Sequence, residues 1–161
     1  MSDQVVQALD GPVESYHQYL ATMECLRSGE AKRRWRNSIK QAWNNQCCFC
    51  GQSPLGSNRL TLDHLRARCK GGADIAKNLV SCCLIHNQDK GSDDWIQWYR
   101  KQSFYDPMKE LRIHYWQHHG RLENDSEILR WAFKNKIYHK FNRPQEVLDE
   151  IYGMPFMPFA A

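Results

Sequence analysis

Apolar side chains recur every three or four residues along the N-terminal part of the chain, which is the spacing of an amphipathic helix. One helix is predicted over residues 10–27 and a second over residues 30–44. In the second, Trp35, Ile39 and Trp43 follow one another at four-residue intervals and are expected to form a stripe buried against a core. Most basic residues of this helix lie off the stripe, so they are expected to face solvent or a partner.

More helices are predicted after residue 91. Ser, Asp and Asn favour helix starts because their side chains accept hydrogen bonds from the first turn, and Pro is tolerated at the first helical position. The proposed starts are Ser92 with Asp93 and Asp94 behind it, Asp106-Pro107, one of Asn124, Asp125 and Ser126, and Arg143-Pro144. Gly120 and Gly153 are expected to end two of these helices, and the inward-facing residues of the third are Ile128, Leu129 and Ala132.

The segment between the two helical parts has little helical periodicity and many turn residues. Two short runs, Leu60–Leu62 and Asn78–Val80, are predicted to pair as strands, and a short helix is expected to begin near Cys83. The fold class is therefore predicted to be α+β and mainly helical. Its parts are N-terminal helices (1–46), the central segment (47–91) and a C-terminal helical region (92–161), which are expected to pack as one compact domain.

The basic residues are clustered, although the formal net charge of the 161 residues is only +4. Residues 30–40 carry five Lys or Arg against one acid, and residues 59–70 carry four against one. Such blocks suit a polyanion such as DNA or RNA, although basic residues on helix surfaces also serve solubility. The sequence shows neither a membrane-spanning apolar run nor a secretory signal, so an intracellular, cytoplasmic protein without a membrane partner is expected.

The cysteines indicate a metal site. An odd number of them, seven, and the lack of an export signal argue against a disulfide framework. Cys47 and Cys50 form a Cys-x-x-Cys pair, and Cys83 and His86 form a Cys-x-x-His pair. Together the pairs supply four thiolate and imidazole ligands, a set that is typical of structural zinc.

Two further cysteines leave the ligand set open. Cys48 and Cys82 each adjoin a proposed ligand and could replace it. Alternatively, they are small buried residues, which is the commonest environment of a free cysteine.

A series of short motifs follows the first zinc pair. In order, these are Asp63-His64, Gly71-Gly72, Asn78-Leu79-Val80, Cys83-x-x-His86-Asn87 and Lys90-Gly91. Over residues 47–91 this series resembles the zinc-stapled branch of the HNH endonucleases, a family that includes homing, phage and restriction nucleases. The combination is specific, whereas each piece alone is not. The resemblance implies a ββα-metal fold, in which a two-stranded hairpin is followed by one helix.

The resemblance also implies the roles of individual residues. His64 would be the general base, Asp63 and Asn87 would bind a catalytic Mg²⁺ or Mn²⁺ ion, and Asn78 would tie down the loop that holds His64. These roles agree with phosphodiester hydrolysis, because neutral histidine is a base at physiological pH and oxygen donors suit hard divalent ions. Since neighbouring strand residues point to opposite faces, Asp63 and His64 can serve one site only if the strand bends there.

The chain departs from the family pattern at two positions. His86 stands where the family has cysteine, and zinc accepts three cysteines with one histidine readily. Ala67 stands where a proline usually follows the Asp-His pair, a difference that concerns the shape of the loop.

The predicted function is a metal-dependent DNA endonuclease of bacterial or phage type, either a nickase or a double-strand nuclease. RNA is a less favoured substrate, and a homodimer would allow both strands to be cut. The alternative is a non-catalytic zinc module that only binds nucleic acid. Contacts to nucleic acid are assigned to the basic residues of the central segment and the second helix, namely Arg66, Arg68, Lys70, Lys90, Arg33, Arg34 and Arg36.

Overall fold

The computed structural model describes residues 29–137, where helices surround a two-stranded antiparallel sheet. This mixture of helix and a small sheet agrees with the predicted α+β class. The elements are α1 (Gly29–Ala42), β1 (Leu60–His64), two 3₁₀ turns (Arg68–Lys70 and Ala76–Asn78), β2 (Leu79–Cys83), α2 (Leu84–Lys90), α3 (Trp95–Tyr99), α4 (Pro107–His119) and α5 (Asp125–Lys134). The helices predicted over residues 10–27 and from Arg143-Pro144 lie outside the described residues.

Helix α1 packs across both strands through the predicted stripe. Trp35, Ile39 and Trp43 are 2%, 0% and 6% exposed, which confirms the spacing argument. The helix gives way to a tight turn in which Asn44 and Asn45 both have a φ of +53°. Asparagine tolerates this left-handed region better than most residues, so the chain can reverse here and return towards the sheet.

The hairpin is longer than the sequence predicts. Antiparallel pairing runs from Leu60 opposite Cys83 to His64 opposite Leu79, so β1 includes the Asp63-His64 pair. Every residue of β2 is buried. The apolar–polar alternation that marks a strand weakens after Leu62, but burial of the neighbouring strand holds the pairing together to the end of β1.

The later helices begin and end at specific side-chain caps. Asp106 caps α4 by accepting hydrogen bonds from the backbone N–H groups of Met108 and Lys109, and Gly120 ends the helix with a φ of +72°. Both ends agree with the prediction. Of the three candidates for α5, Asn124 is the cap and accepts a hydrogen bond from the backbone of Glu127.

The predicted cap of α3 is wrong. Asp94, not Ser92, caps this helix, and its carboxylate accepts a hydrogen bond from the backbone N–H of Gln97 at 3.0 Å. Gly91 has a φ of +52° and ends α2, so Ser92 still belongs to the turn between the helices. The helix therefore starts only after that turn is complete.

A buried charged network joins the end of α3 to α4. The carboxylate of Glu110, which is 0% exposed, accepts hydrogen bonds from Arg100 Nε at 3.0 Å, Arg100 Nη2 at 2.6 Å and the Tyr105 hydroxyl at 2.8 Å. Burial acts to raise the pKa of Glu110, but the neighbouring His114 and the hydrogen bonds from Arg100 and Tyr105 outweigh it and lower the pKa below its usual value. Glu110 is therefore ionised at neutral pH and orders the turn before α4.

Among residues 29–137, no helix is long and apolar enough to cross a lipid bilayer.

Replacing Glu110 with Gln should lower the free energy of unfolding by about 2–3 kcal/mol at pH 7, because Arg100 then loses its charged partner at a site that is only partly exposed. Urea denaturation followed by circular dichroism measures this difference. Because the folded pKa of Glu110 is depressed, its contribution is present at neutral pH and declines only in acid, as the pH falls below the ordinary value of 4.5 and through the folded pKa. The matched control is Glu127→Gln, which breaks an exposed pair with Arg130 and should cost less than about 1 kcal/mol. Equal losses in both variants would contradict the role given to Glu110.

Candidate metal centre and active site

The four predicted zinc ligands converge on one point. Cys47 and Cys50 lie in the turn after α1, Cys83 is the last residue of β2, and His86 lies in the first turn of α2. Their ligand atoms are all within 4.8 Å of one another. The backbone N–H of Gly51 bonds to the Cys47 carbonyl at 2.8 Å and closes a turn that brings the first two sulfurs to the same side. This Cys₃His cluster could hold a metal ion such as zinc.

Cys48 and Cys82 are not part of the cluster, which favours the four residues named from the sequence over either substitution. Both are buried, at 3% and 0% exposure. Burial raises the pKa of the Cys48 thiol well above its usual value, and a hydrogen bond to Cys47 acts in the same direction. Hydrogen bonds from Cys48 and Cys82 hold the pKa of Cys47 far below its usual value. The two non-ligand thiols therefore favour the thiolate form that metal binding requires.

His86 faces the cluster through Nδ1. This atom lies 2.8 Å from Cys83 Sγ and 3.8 Å from Cys47 Sγ. Tetrahedral zinc with ordinary bond lengths separates an imidazole nitrogen from a thiolate sulfur by about 3.6 Å, so metal binding requires only a small shift of the ring. The ring of Phe104 lies 4.3 Å from that of His86, centroid to centroid. Phe104, which the sequence analysis did not single out, helps to orient the ligand.

Asp63 is buried beneath α2 and lies beside a buried lysine. Its carboxylate oxygen Oδ2 is 3.2 Å from Lys90 Nζ, and the two side chains are 6% and 0% exposed. The Lys90 ammonium directs its hydrogen bonds to the backbone carbonyls of His64 and Gly91, so among the described residues Asp63 Oδ2 accepts none. Burial raises the pKa of Asp63 to about 6, against the opposing effect of Lys90.

The prediction that Lys90 contacts nucleic acid does not agree with this position. Its side chain is enclosed, and its charge is directed at Asp63 and at backbone carbonyls. A phosphate outside the protein cannot reach it in this conformation. Lys90 instead ties the end of α2 to the end of β1.

Asn87 lies on the same side of the hairpin, one helical turn before Lys90 on α2. Its amide Nδ2 donates to Thr61 Oγ1 at 2.9 Å and to the Leu62 carbonyl at 3.2 Å. These bonds engage the amide nitrogen, and within residues 29–137 no hydrogen bond to the amide oxygen is seen. The structure therefore places Asp63 and Asn87 between the first strand and the helix.

His64 is held by an acid that the sequence analysis missed. Its Nε2 atom lies 2.6 Å from Asp74 Oδ1. The hydrogen bond to His64 lowers the pKa of Asp74, so the carboxylate is ionised and can only accept. The proton of this bond is therefore on Nε2, and Nδ1 of a neutral His64 ring carries the lone pair. Asp74 follows Gly71-Gly72 closely, but its pairing depends on how the loop folds back.

Asn78 joins the two sides of the loop between β1 and β2. Its Oδ1 accepts from the Arg66 backbone N–H at 2.8 Å, and its Nδ2 donates to the carbonyls of Arg66 at 3.1 Å and Ala73 at 2.9 Å. Gly72 permits this closure, because a Cβ there would lie 1.8 Å from the Arg66 carbonyl oxygen. The Asn78 side chain thus connects the backbone of Arg66 to that of Ala73 and holds the loop next to His64.

The other basic residues predicted to contact nucleic acid differ in their exposure and in their ion pairs. The loop residues Arg66, Arg68 and Lys70 are exposed, and Arg68 Nε lies 4.0 Å from Asp74 Oδ1. On α1, Arg33 is exposed and Arg36 is half-buried. Arg34 is also exposed, but it forms an ion pair with Glu30 at 2.8 Å.

Comparisons with protein-family models, with curated proteins and with solved structures find no match to this chain. The HNH resemblance therefore rests on the sequence motifs.

Replacing Cys47 with Ser should reduce bound zinc from one ion per chain to a small fraction. The melting temperature should fall by more than about 10 °C, because the binding of structural zinc can supply about 10 kcal/mol to folding. Elemental analysis of the dialysed protein and a thermal melt measure the two effects.

Two cysteine variants serve as controls. Cys69→Ser changes an exposed cysteine outside the cluster, and Cys82→Ala changes a buried one beside it. Both should keep one zinc ion per chain. Loss of zinc from Cys82→Ala with retention in Cys47→Ser would mean that the ligand set is wrong.

Proposed function

We propose that this chain is a metal-dependent endonuclease of the HNH type that hydrolyses phosphodiester bonds in DNA. The observation that supports it best is the placement of four polar side chains around the end of β1. Asp63 lies beside Lys90 of α2, Asn87 of the same helix donates to the Leu62 carbonyl, and His64 contacts Asp74 in the adjoining loop. The Cys₃His cluster at the other end of the hairpin supports the same unit.

His64 acts in this proposal as the general base. With Nε2–H donated to Asp74, Nδ1 accepts a proton from a water molecule. The water oxygen attacks phosphorus, the bond from phosphorus to the 3′ oxygen breaks, and the departing oxygen takes up a proton. The products are a 5′-phosphate and a 3′-hydroxyl. Asp74 holds the ring in the required tautomer and stabilises the imidazolium that forms.

The donor set of Asp63 and Asn87 fits a hard divalent ion such as Mg²⁺ or Mn²⁺. A carboxylate and an amide supply oxygen atoms, and Asp63 Oδ2 is buried without a hydrogen bond among the described residues. An ion held there would stabilise negative charge on the phosphate and on the departing oxygen. Asp63 must be ionised to bind it, and Lys90 favours the ionised form.

The same lysine also favours a second candidate function. Because the Lys90 ammonium lies 3.2 Å from Asp63 Oδ2, a cation already balances the carboxylate. A zinc-stabilised module that binds nucleic acid without cleaving it would need nothing more at this position. The two functions differ in whether His64 is required.

Wild-type protein should nick or linearise plasmid DNA in the presence of Mg²⁺ and should not do so in EDTA. His64→Ala should reduce the rate by about 100-fold or more, since a positioned general base contributes at least that factor. His118→Ala, at an exposed histidine of α4, is the control and should cleave normally. Gel electrophoresis also separates one-strand from two-strand products, and the latter would point to a dimer or to two successive nicks. Binding without Mg²⁺-dependent cleavage by the wild type, across a library of genomic fragments, would favour the non-catalytic module.

Asp74→Ala should slow cleavage by about 10- to 100-fold, and Asp74→Glu should restore part of it, because the carboxylate orients the base without contacting substrate. A long-range ¹H–¹⁵N correlation spectrum of the histidine rings supplies a readout that is independent of activity. It should show a proton on Nε2 of His64 in the wild type and a mixture of tautomers in Asp74→Ala. An unchanged tautomer together with unchanged cleavage would remove Asp74 from the site.

A further inference from the structure

Three cations lie along one side of α1, and a fourth lies just before β1. Lys32, Arg36 and Lys40 are spaced four residues apart, so they lie on one side of the helix, beside the buried stripe. Arg59 directly precedes β1. Lys32 and Arg59 are exposed, and the other two are half-buried. We call these four residues the basic row.

The cations of the basic row are neighbours in space. Arg36 and Lys40 are one helical turn apart on α1. Burial lowers the pKa of Lys40, and the charges of Arg36 and Arg59 lower it further. Between Lys32 and Lys40 the helix rises by about 12 Å.

Three of these cations have no carboxylate partner among residues 29–137. No ion pair forms at Arg36, Lys40 or Arg59 within the described part of the chain, whereas Arg34 pairs with Glu30 and Arg130 with Glu127. Like charges held together in this way repel one another and disfavour the compact state. An anionic partner relieves that repulsion, so the arrangement suits a polyanion.

We propose that the basic row is the track for the phosphates of the DNA that this chain binds. The inference rests on the proposed function, and it selects among the many basic residues of the chain. Successive cations on α1 are about 6 Å apart, which is of the same order as the distance between neighbouring phosphates along one nucleic-acid strand. Arg34, on the other flank of the helix, is not part of the track.

The test compares two double variants that each remove two positive charges. Arg36→Gln/Lys40→Gln changes the basic row, and Arg121→Gln/Arg130→Gln changes two exposed arginines that form ion pairs with Glu123 and Glu127. Fluorescence anisotropy with a labelled 30-base-pair duplex in EDTA measures affinity without cleavage. Zinc content and circular dichroism establish that both variants are folded.

The row variant should bind about tenfold more weakly at moderate salt. Its slope of log K against log salt should be shallower by about 2, because about 0.9 of a unit is lost for each phosphate contact removed. The control should change affinity by less than about twofold and keep the slope.

The remaining outcomes separate the track from the proposed function. Equal losses of affinity in both variants would mean a diffuse charge effect and would overturn the track. Unchanged binding by the row variant would also overturn it. So would a wild-type protein that does not bind the duplex. Row-dependent binding without any cleavage by the wild type would uphold the track and defeat only the nuclease.

Discussion

The convergence of Cys47, Cys50, Cys83 and His86 on one point is the constraint on which the rest of the structure depends. The first pair follows α1, and the second spans the junction of β2 and α2. Bringing them together fixes the first helix, the hairpin and the second helix against one another. A two-stranded hairpin is marginal by itself, so a metal ion bound by this cluster would supply stability that so small a sheet lacks.

Packing around that centre completes the core. The largest group of buried apolar residues includes Trp35 and Ile39 of α1, Val80 of β2 and Trp116 of α4. The indole N–H of Trp116 donates to the carbonyls of Ala76 and Leu79, at 2.8 and 2.9 Å, and so connects α4 to the start of β2. The helices on both sides of the central segment therefore hold the hairpin from two directions.

Strand geometry divides the candidate active site between two environments. Asp63 lies under α2 with Lys90, whereas the ring of His64 contacts Asp74 in the loop. When it is protonated, His64 opposes the rise in the pKa of Asp63 that burial causes. No bulge interrupts the pairing of β1 with β2 at Asp63 and His64, so the two residues keep the alternation of a regular strand.

The sequence by itself determined the features that depend on local spacing. The stripe of Trp35, Ile39 and Trp43 follows from the period of the helix, and the start of α4 follows from the capping chemistry of Asp106. The two zinc pairs could be found because two-residue gaps bring ligands together in any tight turn or helix start. The tertiary structure decided what depends on contacts between distant segments. It placed Cys48 and Cys82 outside the Cys₃His cluster, enclosed Lys90 and paired His64 with Asp74. The neighbours of a residue across a loop or a sheet are set by packing, so they leave no mark on its own stretch of chain.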